Sequence, residues 1–154
     1  MKVLLIYATY SSGTEVASGV VGDILSKDHE LTIKKLPEAS PADLQNFDVI
    51  IMASPSWEHE KEQGYPHEFW LKFIEKAGEM TLPGKKFAIF GLGDTAYPKF
   101  TGAVDHLEAF VKKLGGTLLI ESMRIDGFFF DQENNETKLR DWAARLDNIL
   151  KTSV

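Results

Sequence analysis

The chain has 154 residues, 44% hydrophobic and 26% charged, a length and composition that suit one domain (1–154) with a single substantial core. Its 23 acidic residues against 17 Lys and Arg leave a net charge of −6, which argues against a nucleic-acid partner and suits contact with basic patches on other proteins. There is no cysteine, so disulfides and thiolate metal sites are excluded. The first seven residues are too short and lack the cleavage site for a signal peptide, and no apolar run approaches bilayer length; no membrane association and a cytoplasmic location are the expectation.

Residues 3–7 form a continuous apolar run, the pattern of a central parallel strand covered on both faces. Residues 15–26 place Val16, Gly19, Val20, Ile24 and Leu25 at mostly three- and four-residue intervals, which predicts an amphipathic helix. Leu31, Ile33 and Lys35 alternate with Thr32 and Lys34 in a more exposed edge strand. Ser40-Pro41 then opens a short helix to Asn46. Residues 48–53 form a second buried strand, 54–65 a polar loop, and Pro66 opens a helix carrying Phe69, Trp70, Phe73 and Ile74. A third buried strand spans 86–90. A helix over 102–114 ends at Gly115-Gly116. Residues 117–125 read as a strand and 127–135 as a loop. The last helix places Leu139, Trp142, Ala143, Leu146, Ile149 and Leu150 on one face. Strand and helix alternate five times, which predicts an α/β fold: a five-stranded parallel sheet with helices on both faces.

Such sheets bind ligands beyond the carboxyl ends of their strands, where strand order reverses. The loops that matter are therefore 9–14, 54–65 and 91–100. The first gathers Thr9, Tyr10, Ser11, Ser12, Gly13 and Thr14 where a strand ends and a helix begins. Hydroxyls and backbone N–H groups at the positive end of a helix dipole can hold a phosphomonoester. No basic residue lies there, which separates it from the nucleoside-triphosphate loop; the plainer alternative is a capped turn. The second loop, beginning Ser54-Pro55-Ser56, carries Trp57 and Glu58, with the indole placed either at a crevice rim or against the next helix. The third reads Gly91-Leu92-Gly93-Asp94 and continues to Tyr97 and Phe100. Its glycines permit close backbone approach, and Tyr97 offers a second ring. Two aromatic rings on adjacent loops point to a planar heterocycle between them. Gly91–Ala96 also fits the dinucleotide fingerprint ending in alanine, but it follows the fourth strand rather than the first and Pro98 delays the helix.

These stretches, with Ala103-Val104-Asp105, Leu114-Gly115 and Arg124-Ile125-Asp126-Gly127, make the whole chain resemble a short-chain flavodoxin, a small electron carrier that binds flavin mononucleotide (FMN). No long insertion interrupts the last strand. The resemblance implies strand order 2-1-3-4-5. It assigns the phosphate to Thr9, Ser11, Ser12, Gly13 and Thr14, with help from Ser56. Trp57 would cover the inner ring face and Tyr97 the outer, and backbone groups of Leu92, Gly93 and Asp94 would bond the pyrimidine edge. It implies partners such as ferredoxin-type reductases and other redox proteins with basic docking patches.

Three positions depart from the family's pattern. Ser12 stands where glycine is usual, and glycine comes one residue later: either Ser12 takes positive φ and the loop is strained, or the turn is rebuilt around Gly13. Glu58 replaces a common glycine at a peptide that flips when the flavin is reduced, so a weaker semiquinone is expected. Phe128-Phe129-Phe130 either tuck at least two rings under a neighbouring loop or form an exposed docking patch. Glu58, Glu60, Glu62 and Asp94 crowd the expected ring site, and each charge near 10 Å would disfavour an anionic reduced ring by roughly 0.4–1.7 kcal/mol. The readings are a non-enzymatic, low-potential carrier, a flavodoxin-like quinone or nitro-compound reductase, and a flavin-free interaction domain. A phosphoacceptor receiver is disfavoured because Ser54 stands where its aspartate would be. His59 and His67 are read as surface residues, and no metal site is expected.

Overall fold

Three unbroken apolar runs form the middle of the sheet. The computed structural model describes residues 1–152; positions 153 and 154 of the expected domain lie outside the described residues. The strands are β1 (Lys2–Tyr7), β2 (Glu30–Lys35), β3 (Val49–Pro55), β4 (Trp57–His59), β5 (Glu62–Tyr65), β6 (Lys86–Gly93), β7 (Thr117–Leu118) and β8 (Met123–Asp126). The helices are α1 (Gly13–Leu25), α2 (Glu68–Ala77), α3 (Gly102–Leu114) and α4 (Gln132–Thr152).

The main sheet runs β2-β1-β3-β6, and both β7 and β8 pair with the far side of β6. Every pairing in it is parallel, with Leu5 opposite Ile33 and Ile51, Ile51 opposite Ala88, and Gly91 opposite Arg124. This is the order 2-1-3-4-5 with the fifth strand in two pieces. Successive side chains alternate faces, so one run supplies two cores. Leu5, Ile51 and Phe90 pack with Val21, Leu139, Trp142 and Leu146 of α1 and α4. Leu4, Ile50 and Ile89 pack with Trp70, Phe73, Leu107 and Phe110 of α2 and α3. The buried indoles keep their N–H groups paired, Trp70 donating to the Ala53 carbonyl (2.8 Å) and Trp142 to that of Glu121 (2.9 Å).

Four expectations need correction. Residues 54–65 are not a loop throughout, because β4 and β5 form an antiparallel hairpin. The strand expected over 117–125 leaves the sheet between β7 and β8: the Leu119 N–H makes a last ladder bond to the Phe87 carbonyl of β6 at 2.9 Å, and Leu119 and Ile120 pack on the core. Most of 127–135 is helical: a 3-10 turn at Phe128–Asp131 runs directly into α4. Pro66 does not open α2, whose N-cap is His67. Among the described residues no helix is long and apolar enough to cross a membrane.

Candidate functional site

The carboxyl ends of β1, β3 and β6 open into one cleft of about 490 Å³. Its first wall is the turn from β1 into α1. Ser12 takes the left-handed conformation (φ 68°, ψ −6°) and makes no capping bond. The first-turn N–H groups of α1 have no intrahelical acceptor and so remain available to an anion. Thr14 is 1% exposed and lines the cleft, and its Oγ1 is buried without a hydrogen-bond partner. A buried hydroxyl of this kind is costly unless something accepts from it or donates to it. At the base of the turn Tyr7 donates to Glu15 Oε1 at 3.0 Å. Burial, reinforced by that carboxylate, pushes the phenol pKa up to about 12.

The second wall comes from the end of β3 and the hairpin. Ser54 is buried, accepts from the His67 N–H at 2.9 Å and donates to the Pro55 carbonyl at 2.8 Å. Ser56 accepts at Oγ from the Ala103 N–H (3.0 Å), which ties it to the start of α3. Trp57 is 56% exposed, its ring 5.0 Å from that of Tyr10 at 40°. Tyr10 in turn stacks on His67. His67 is therefore not the surface residue expected: it is buried, and its Nδ1 accepts from the Phe69 N–H at 3.0 Å. Burial pushes its imidazole pKa down, against the opposing pull of Glu68. His59 is half-buried, 3.9 Å from Glu60 Oε1.

The third wall is the loop from β6 to α3. Asp94 Oδ1 accepts from the Ala96 N–H at 2.8 Å, and Tyr97 stands 61% exposed at the rim. The loop closes on a buried Thr101 with φ 48°. Beside it, the hairpin and α3 meet backbone to backbone: a Cβ on Gly102 would lie 2.5 Å from the Gly64 carbonyl oxygen.

The cleft gathers Thr9, Tyr10, Ser11, Gly13, Thr14, Pro55, Ser56, Trp57 and Glu58 with Leu92, Gly93, Asp94, Tyr97 and Phe100. Of the expected residues, Ser12, Ser54 and Gly91 do not line it. Ser12 shapes the turn, Ser54 holds the backbone ahead of α2, and Gly91 makes room for Val104, whose Cγ2 would lie 2.5 Å from an added Cβ. Sequence reasoning missed Gln63, Gly64, Pro98, Lys99, Thr101 and Gly127 as lining residues, and did not place Phe128–Phe130 on the wall. Of those three rings only Phe128 is buried (5%); Phe129 is 52% and Phe130 90% exposed. Among the described residues no group of His, Asp and Glu could hold a metal ion. The arrangement can hold a phosphate at one end and a flat ring between exposed aromatics at the other.

Residues 5–142 match the flavodoxin family model. The chain is 33% identical over 141 residues to a probable flavodoxin 2 of Bacillus subtilis, covering 88% of both chains. It is 30% identical over 137 residues to a flavodoxin of Maridesulfovibrio salexigens, covering 88% of this chain and 90% of the relative. Among solved structures, oxidised flavodoxin 2 from Bacillus cereus superposes with a TM-score of 0.82 at 29% identity, over 94% of this chain and 96% of that one. A Fusobacterium nucleatum flavodoxin bound to flavin mononucleotide shares the fold, with a TM-score of 0.82 at 20% identity over 96% and 97% of the two chains.

Proposed function

Because the chain belongs to the flavodoxin family, we propose that it is an FMN-dependent, low-potential one-electron carrier that shuttles between redox proteins and has no substrate of its own. The observation that carries this reading is the unpartnered Thr14 hydroxyl beside the uncapped start of α1, in a cleft that also presents Trp57 and Tyr97.

Thr9, Ser11, Gly13 and Thr14 would hold the phosphate through hydroxyls and backbone N–H groups, with no cation in the set. Trp57 and Tyr97 would flank the ring and keep water from its faces, and the backbone of Leu92, Gly93 and Asp94 would meet its edge. FMN, when bound, supplies the one-electron chemistry. The chain's own residues tune it. Glu58 and Asp94 line the cleft, and their charges oppose further negative charge there, which favours giving an electron away. Glu62, at the hairpin's edge, is partly offset by Lys99 at 3.4 Å. Partners with basic docking patches suit the net charge of −6, because complementary charge speeds encounter more than it tightens binding.

The test is the cofactor itself. The purified protein is expected to be yellow, to release FMN in a one-to-one ratio, and to bind FMN far more tightly than riboflavin. Thr14→Val should weaken FMN binding and leave riboflavin binding little changed. A colourless protein that takes up no FMN refutes the reading, and steady NAD(P)H–quinone turnover by the protein alone refutes the carrier assignment.

A further inference from the structure

We infer that Asp126 and Arg124 are positioning residues for the cleft: from alternate positions of β8 they fasten both ends of the loop that carries Tyr97. In a strand, residues two apart share a face. Ile125 between them is 1% exposed and turns into the core, so Arg124 and Asp126 both reach the other way.

The loop leaves β6 at Gly93 and enters α3 at Gly102. Its middle is exposed from Thr95 to Lys99 and carries left-handed φ at Lys99 (57°) and Thr101 (48°), so it needs restraint from outside. Its own bonds are local: Tyr97 N–H to the Asp94 carbonyl at 3.1 Å, and Gly102 N–H to the Lys99 carbonyl at 2.9 Å.

At the leading end Asp126 uses both carboxylate oxygens on one residue. Oδ1 accepts from the Thr95 N–H at 2.9 Å and Oδ2 from the Thr95 hydroxyl at 3.0 Å. At the trailing end Arg124 Nη1 donates to the Thr101 carbonyl and to Thr101 Oγ1, each at 3.2 Å. Its Nη2 donates to Asp105 Oδ1 at 2.8 Å and lies 3.7 Å from Glu108 Oε1. The planar guanidinium thus spans the loop's end and the first turn of α3, which a lysine could not do.

The clamp has a firm base. Arg124 sits opposite Gly91 and Asp126 opposite Gly93 in the β6–β8 register, so the anchors belong to the strand beside the one that feeds the loop. Behind them the buried Asn135 donates from Nδ2 to the carbonyls of Asp126, Gly127 and Phe128 at 3.2–3.3 Å. Between its two fixed ends the loop keeps an arch bearing Tyr97. Holding that arch in place before a ring arrives removes an ordering cost from binding.

The effect on the cofactor rests on the FMN reading, whereas the clamp itself does not. The experiment is a double-mutant cycle of Asp126→Asn and Thr95→Val, with amide hydrogen exchange over residues 95–100 and FMN and riboflavin affinities as readouts. Thermal melting serves as a check on the fold. Thr95→Val leaves every charge in place, so it separates the tether from the electrostatic effect of Asp126. Each single variant is expected to speed exchange in the loop and to weaken both ligands about tenfold. The double variant should be little worse than either single, since the two residues act as one unit. Arg124→Lys, which keeps the charge and loses the fork, is expected to speed exchange at the Gly102 and Val104 amides. Unchanged exchange and affinity in Thr95→Val, or strictly additive effects, overturn the proposal. If the wild type takes up no FMN, the carrier reading fails and the exchange data alone decide for or against the clamp.

Discussion

The ring of Tyr10 stacks on that of His67 with centroids 3.9 Å apart and planes at 25°. The contact joins the turn before α1 to the N-terminus of α2. Tyr10 also meets the Trp57 ring at 5.0 Å, so the indole's nearest aromatic neighbour is itself held by an imidazole outside the cleft lining. His67 Nδ1 accepts from Phe69, which requires the neutral ring, and burial favours that form. Because its folded pKa lies below 6.5, its contribution to stability is present above that value and is lost as pH falls through the folded pKa. Urea unfolding between pH 5 and 8 should therefore show a decline on the acidic side. His67→Asn keeps a capping side chain and should flatten that decline; matching slopes in the two proteins would contradict the assignment.

The hairpin turns on Glu60 (φ 50°) and Lys61 (φ 68°), both left-handed. A two-residue turn of this form favours Asn-Gly, and each non-glycine residue there costs about 1–2 kcal/mol. Glu60→Asn with Lys61→Gly is expected to raise stability by roughly 0.5–1 kcal/mol after the extra chain entropy of glycine is counted. The urea midpoint reads this directly, and a drop would mean that the side chains contribute more than the turn costs.

Glu58 lies exposed in β4, outside the left-handed region, and lines the cleft. Replacing it with glycine removes a charge near the ring site and frees the backbone to reorient. Redox titration should find the two one-electron potentials of the flavin further apart in Glu58→Gly. An unchanged or smaller separation would show that this side chain does not restrict the turn.

Three adjacent phenylalanines should respond in opposite ways to substitution. Phe128→Ala empties a core position and should cost about 3–5 kcal/mol. Phe130→Ser changes a ring already in solvent and should move stability by less than about 0.5 kcal/mol. Phe129 lies between these, its Cε2 3.5 Å from where a Cβ on Gly13 would stand. Chemical denaturation of the three variants checks the order.

The central strands were legible because residues 3–7, 49–53 and 87–90 are apolar without interruption, which only burial on both faces explains. The hairpin was not, since Glu60-Lys61 carries none of the usual turn chemistry and β4 and β5 are short and polar. Leu118-Leu119-Ile120 reads as strand because it is apolar, yet the ladder to β6 ends at the Leu119 N–H, and Ile120 is sheltered by the core outside any strand. His67 was misjudged because an isolated histidine after proline gives no sign that a tyrosine 57 positions earlier will cover it. Most of the cleft was visible as three loops. The hold that β8 has on one of them depends on side chains 31 and 23 positions away, a pairing that periodicity does not reveal.

A parallel sheet leaves its two outermost strands with unused N–H and C=O groups, and a long flat rim invites another chain to add itself there. The gap between β7 and β8 breaks one rim into pieces of two and four residues. The opposite rim, β2, carries Glu30, Lys34 and Lys35 within six residues. An incoming strand would find too short a ladder on one side and charge to desolvate on the other. The departure of the chain after Leu119 thus leaves an added strand little continuous ladder to extend on that rim.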